Sequence, residues 1–199
     1  EQEITVDSGS GSCFVTAKKG TRICVTRPML QDANGNDIPS YPFQLKVIEL
    51  YSIKDMALRK QPSVAGGSIL ETSAEIKVRP FKNGAEAYLK LGKAYYMETA
   101  NFPTTNNTMQ AYYGFTNGTI NDWTNNLSSI IPGFVDTLST VVATPSYYSL
   151  TVAHTGWVSP ARQHLSTAQN TTLTLTANGT NTQNIEVFLS FVNFKGLMK

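Results

Sequence analysis

Histidine, cysteine and charge are all scarce in this chain of 199 residues. Two histidines and two cysteines leave few ligands for a metal enzyme. Charged residues make up 15% of the chain, against roughly 25% in an ordinary soluble protein. With Lys+Arg 16 and Asp+Glu 14, the net charge is +2, so the strongly basic face of a nucleic-acid binder is not expected. No apolar run is long enough to cross a membrane as a helix. The G-x-S-x-G elbow of hydrolases, both glycine-rich phosphate loops and the C-x-x-C pair are missing too. No catalytic residue, metal or cofactor is expected.

Neutral polar residues fill the gap, chiefly Thr, Ser and Asn, with 14 Gly. Such lysine-poor composition suits an exported β protein. No basic and apolar leader is present, so any export signal is expected to have been removed or to lie upstream.

Alternation of apolar and polar residues dominates the chain. Phe43 to Tyr51 is the clearest strand, and Ala74 to Arg79 alternates strictly. Ala87 to Leu91, Ala94 to Glu98, Met109 to Phe115 and Tyr147 to His154 also read as strands. So do Thr171 to Thr176, with Leu inward, and a buried final strand over Ile185 to Val192. Asn34-Gly35, Asn83-Gly84, Asn117-Gly118 and Gly66-Gly67 supply turns. Ser52 to Arg59 is the one short helical stretch, with Ile53, Met56 and Leu58 on a weak apolar side. The expected fold is an all-β antiparallel sandwich with at most one or two short helices. Two packed subdomains are one form of it, residues 1–122 and 123–199, with a soft boundary in the polar stretch Gly118 to Asn126.

Cys13 and Cys24 bracket a strand, a turn and a second strand. A two-residue turn at Lys18-Lys19 would set the cysteines opposite each other for a cross-strand disulfide. A three-residue turn with Gly20 left-handed would set Cys13 opposite Val25 and point the sulfurs to opposite faces. Gly20 favours the second turn, an oxidising compartment favours the bridge, and the pairing of Cys13 with Cys24 stays open. Sequons at Asn106, Asn117, Asn126, Asn170 and Asn178 are candidate glycan sites in a eukaryotic secreted protein, and equally products of an Asn- and Thr-rich chain.

Asp32, Asn34 and Asn36 have the one-three-five spacing of calcium loops, but Asp37 and Phe43 stand where such loops need Gly and Glu. A turn explains the same residues. His154 and His164 are the available general bases for a hydrolase with an unrecognised site. The doublets Tyr95-Tyr96, Tyr112-Tyr113 and Tyr147-Tyr148 put one ring on each sheet face. Outward rings at Tyr96, Tyr113 and Tyr148 would stack on sugars or a protein partner. Trp123 and Trp157 read as core or corner residues. Exposed strand edges would offer binding by strand addition.

Further segments are Gly20 to Ile23, Asp32 to Gly35, Leu45 to Tyr51 with Asp55-Met56, Leu70 to Ile76, Met109 to Gly114, Thr155 to Arg162 and Val187 to Phe191. Together they resemble exported surface proteins of Bacteroidota, a group without assigned catalytic residues. The first half is similar to a ZU5-type β-sandwich, a module of protein–protein contacts. Ala161 stands where the resembled Gly-Trp segment carries an acid, so no role tied to that acid is carried over. The resemblance implies an extracellular or outer-membrane-attached domain. Together with the strand pattern, the low charge and the missing catalytic signatures, it leads to the expectation of a non-enzymatic surface protein, a lipoprotein-type accessory subunit or interaction module. Its lipid anchor would lie upstream of Glu1, its expected partner is a protein, and a glycan is the second option.

Overall fold

We describe a computed structural model of the chain, covering residues 1–7, 13–100, 106–117, 120–165, 174, 176 and 186–199. Its strands in chain order are β1 (Gln2–Val6), β2 (Phe14–Thr16), β3 (Arg22–Cys24), β4 (Leu30–Gln31), β5 (Phe43–Leu50) and β6 (Val64–Ala65). Next come β7 (Ser68–Thr72), β8 (Glu75–Lys82), β9 (Ala85–Glu86), β10 (Tyr88–Leu89), β11 (Tyr95–Ala100) and β12 (Gln110–Asn117). The last are β13 (Ile120–Thr124), β14 (Thr140–Ala143), β15 (Tyr147–Val152), β16 (Gly156–Gln163), β17 (Leu189–Phe191) and β18 (Gly196–Met198). One helix, α1 (Ile53–Leu58), starts on Ser52, whose hydroxyl accepts from the Asp55 N–H at 3.1 Å. The fold is all-β and antiparallel, with no helix of seven or more residues among the described residues.

Two sheets form the sandwich. The larger runs β1-β5-β8-β16-β12-β13, with β7 also on β16 and β9 on β8. The smaller runs β14-β15-β11-β3-β2. Period-two alternation explains the core between them. Phe43, Leu45 and Val47 point inward from β5, Ile76 and Val78 from β8, and Val158 from β16. Ile23, Tyr95, Met97, Leu150 and Val152 meet them from the smaller sheet. β14, β15 and β16 all follow the expected boundary at 122/123, yet β15 pairs with β11 and β16 lies between β8 and β12. The stretches on either side of that boundary therefore share both sheets.

The larger sheet is also covered on its outer face at one end. There Met56 of α1 and Leu197 of β18 cover Leu50, with Ile48, Ile53 and Phe188 packed alongside. β17 and β18 form a small hairpin of their own. The buried strand expected over 185–192 is thus corrected to the short β17: Val187 and Val192 are exposed, and the chain turns into a 3-10 helix at Val192. The strand expected over 171–176 lies outside the described residues, apart from Thr174 and Thr176, which are not in a strand.

The β2–β3 turn takes the three-residue form. Ala17 N–H donates to Thr21 O at 2.7 Å, and Gly20 has φ +100°. Phe14 then faces Cys24, yet Cys13 and Cys24 are disulfide-bonded, with a Cα–Cα distance of 4.9 Å. The expectation that this register would part the sulfurs is corrected. Cys13 precedes β2 and is not bound by its side-chain alternation, so it reaches diagonally to Cys24.

Glu49 of β5 holds this hairpin to the larger sheet. Its buried carboxylate accepts from Lys19 N at 2.7 Å, Thr21 N at 3.0 Å and Gln2 Nε2 at 2.9 Å. Lys19 Nζ reaches on to Asp55 of α1 at 2.9 Å, and that bond is the leading cause of the lowered Asp55 pKa.

Candidate functional site

A transverse row of residues crosses the outer face of the larger sheet, and four of them, Ile48, Lys77, Gly114 and Trp157, line a groove. Cross-strand partners share a face. Ile48 pairs with Lys77, Lys77 with Trp157, Trp157 with Gly114, and Gly114 with Trp123. Gly114 is the gap in the row. A Cβ there would sit 2.8 Å from Trp157 Cβ and 3.4 Å from Trp123 Cζ3, so only glycine lets the two tryptophans close over that strand.

The walls come from the segment after α1 and from β12–β13. Lys60 turns left-handed at φ +53°, and Gln61 N–H returns to Met56 O at 2.9 Å, closing the helix end. That turn delivers Arg59 and Gln61 to a cavity of about 430 Å³, which Lys77, Trp157, Thr116 and Asn121 also line. Small-ligand pockets fall at roughly 300–1,000 Å³. Gln61 is only 2% exposed. Its Oε1 accepts from Asn121 Nδ2 at 3.3 Å, while its Nε2 has no partner among the described residues. Trp123 is buried, with Nε1 donating to Pro62 O at 2.7 Å. Trp157 is half-buried and carries Lys77 Nζ at 5.4 Å from its ring centroid. Burial, and then the neighbouring Arg79, lower the Lys77 pKa, partly offset by Glu1 and Glu86.

The tyrosines divide differently from expectation. Tyr113 is fully buried: Ala153 N–H donates to its hydroxyl at 3.3 Å, the same hydroxyl is paired with Ser139 Oγ, and burial pushes its pKa up to about 12. Tyr148 is 1% exposed, and its hydroxyl accepts from Asn106 N–H at 2.9 Å. Both are corrected from outward ligand rings to core side chains. Tyr96 does reach solvent on the outer face of the smaller sheet. There its ring meets Phe14 edge-on at 5.7 Å and its hydroxyl pairs with Ser149 Oγ. Trp157, expected as a core or corner residue, packs half-buried against the Leu70 and Met56 clusters and also lines the cavity. The signal for that second role was its place in register beside a glycine, which needs the pairing of strands far apart in sequence.

The other candidates resolve into local structure. Asp32 Oδ1 accepts from the backbone of Asn34 and Asn36 at 2.9 and 2.8 Å, and the bond from Asn36 leads the lowering of its pKa. The Asp32–Asn36 segment is a turn, and no cluster able to hold a metal ion occurs among the described residues. The side chains of Asn106 and Asn126 accept from the backbone N–H two residues on. Asn117 ends β12, while Asn170 and Asn178 lie outside the described residues. His154 rests edge-on at 6.2 Å from the Tyr113 ring and makes no hydrogen bond through its own ring among the described residues. Desolvation lowers its pKa. His164 is exposed at the end of β16, where its N–H donates to Ile69 O at 2.8 Å.

No protein-family model matches this chain, and no curated protein or solved structure does so either.

Proposed function

We propose that this is a non-enzymatic, exported β-sandwich protein that works at the outer membrane or cell surface as an interaction module, in the manner of a lipoprotein-type accessory subunit. The observation that carries the reading is the bond between Cys13 and Cys24, which uses both cysteines of the chain. Such bonds persist in oxidising compartments and are rare where thiols are kept reduced. The polar, threonine-rich outer face of the smaller sheet supports it. There Arg22 pairs with Glu98 and stacks on Phe14 at 4.4 Å from its ring centroid, a surface suited to solvent and to a protein partner.

The test is fractionation of native cells with thiol labelling before and after reduction, followed by in-cell crosslinking. The expected result is envelope localisation, thiols that label only after reduction, and a reproducible crosslink to one surface protein. A cytosolic protein with two labelled thiols would sink the export reading. An envelope protein that crosslinks to nothing would remove the accessory-subunit role.

A further inference from the structure

The Trp157 groove combines three features that sheet packing does not require. The first is an aromatic plate. Gly114 leaves room for the Trp157 side chain to lie across its strand, and Trp157 stays partly accessible at the cavity floor. Indole faces bind the C–H face of a pyranose ring through dispersion and hydrophobic contact.

The second feature is charge. Lys77 and Arg59 line the same cavity, neither forms an ion pair among the described residues, and no carboxylate lines it. This contrasts with the nearby Arg79, which is held by Glu86 through two bonds of 2.8 Å. Two cations without an ion-pair partner among the described residues, set beside a ring, are complementary to an anion.

The third is an idle donor. Gln61 Nε2 is buried at the cavity wall without a partner among the described residues, while the same side chain's oxygen is fixed by Asn121. Buried donors are normally satisfied, and this one belongs to a side chain that lines the cavity, where a small shift of its amide would offer it to a ligand acceptor. Thr116 and Asn121 line the same cavity, with the Thr116 hydroxyl donating to Asn121 Oδ1 at 3.4 Å.

A flat aromatic surface, two cations and an amide donor match the parts of one ligand class. We propose that the groove binds a carboxylated sugar, a uronate- or sialate-type unit of a glycan, with its apolar ring face on Trp157. Its carboxylate faces Lys77 and Arg59, and a ring hydroxyl or ring oxygen accepts from Gln61 Nε2. The site stands on the groove alone and does not depend on where the protein resides.

The test is titration of the folded full chain at low salt with methyl glucuronide and with the methyl glycoside of N-acetylneuraminic acid. Methyl glucoside and inorganic phosphate serve as comparators, and binding is read from the indole N–H signals in proton–nitrogen NMR. The expected result is saturable binding of at least one carboxylated sugar at a Kd of about 1 mM, with the neutral glucoside roughly tenfold weaker. The surface variants Lys77→Met and Arg59→Gln should each weaken the carboxylated sugar by about five- to tenfold and leave the melting temperature unchanged. Trp157→Ala should abolish binding. Because Trp157 also packs against the Met56 and Leu70 clusters, the two cation variants decide the matter if that variant does not fold. The proposal is overturned if neither acid saturates below about 20 mM. It is equally overturned if glucoside binds as well as glucuronide, if phosphate binds as tightly as the sugars, or if the cation variants bind like wild type.

Discussion

Glu49 and Glu75 are both buried carboxylates at the same end of the larger sheet, one residue out of step across the β5–β8 pair, and they meet opposite fates. Glu49 lies opposite Ile76 and shares the inward side of β5 with Val47. Three N–H groups from the hairpin turn and from Gln2 surround it. Glu75 lies opposite Leu50 on the outward side, under α1 and β18. It receives one bond, from Ser63 Oγ at 2.8 Å, and its Oε2 has no partner among the described residues. Burial dominates there and pushes its pKa up to about 8, with the Ser63 bond acting the other way. Two acids of similar depth are thus satisfied unequally, three donors meeting Glu49 and one meeting Glu75.

The largest expected effect breaks the comparison by pH. The Glu75 carboxyl titrates near 4.5 in the unfolded chain and near 8 in the folded one. Below pH 4.5 both states hold the proton. Between these values the unfolded chain releases it and the fold does not, so stability falls as pH rises and levels off above pH 8. Glu75→Gln should flatten this fall, gaining on the order of 4 kcal/mol over wild type at pH 9 and almost nothing at pH 4. Urea midpoints across that range measure it, and parallel curves would show that Glu75 ionises freely.

Glu49→Ala comes next. It strands the buried N–H of Thr21 and cuts the hairpin from β5, at a cost of about 3 kcal/mol at pH 7 in chemical denaturation. A loss under about 0.5 kcal/mol would mean that water replaces the carboxylate. Reduction of the Cys13–Cys24 bond acts on the same hairpin. Its loop spans 11 positions, and opening it should lower stability by about 3 kcal/mol. In the reduced protein Glu49→Ala should cost roughly 1 kcal/mol less than in the oxidised one, because the donors it holds are no longer fixed in place. Strict additivity would uncouple carboxylate and disulfide. The smallest effect sharpens the Glu75 side. Ser63→Ala removes its single donor, costs about 1 kcal/mol, and moves the fall in stability to higher pH.

How much of this was legible in the sequence follows from how far each signal reaches along the chain. Phe43 to Leu50, Glu75 to Arg79, the Ser52-capped helix and the Gly20 turn rest on neighbours within a few residues, and they stand in the structure where alternation and turn chemistry place them. The tyrosine doublets show the limit. Alternation does put Tyr95 inward and Tyr96 outward. At Tyr112-Tyr113 both rings are buried, because Leu70, Trp123 and Ala161 cover the outer face as well. Which faces of a sheet are covered is a tertiary fact. The groove is further still from local reading. Its floor needs β5, β8, β16, β12 and β13 in one register, and its idle amide comes from a loop after the helix. The donors to Glu49 were unreadable for the same reason, since Lys19 and Thr21 reach it from the other sheet.

The position of β16 has a consequence for how the protein is made. This strand, Gly156–Gln163, is bordered by β8 and β7 on one side and β12 on the other, so the centre of the larger sheet is filled by one of its later segments. While synthesis proceeds from the first strand, β8 and β12 emerge with raw edges facing an empty slot. A nascent chain of this topology has to wait, its long-range contacts arriving after most of its hydrophobic strands are already out. Open edges of this kind favour aggregation, so a chain truncated before Gly156 is expected to be insoluble rather than to fold as a smaller domain, which the soluble fraction on expression would read.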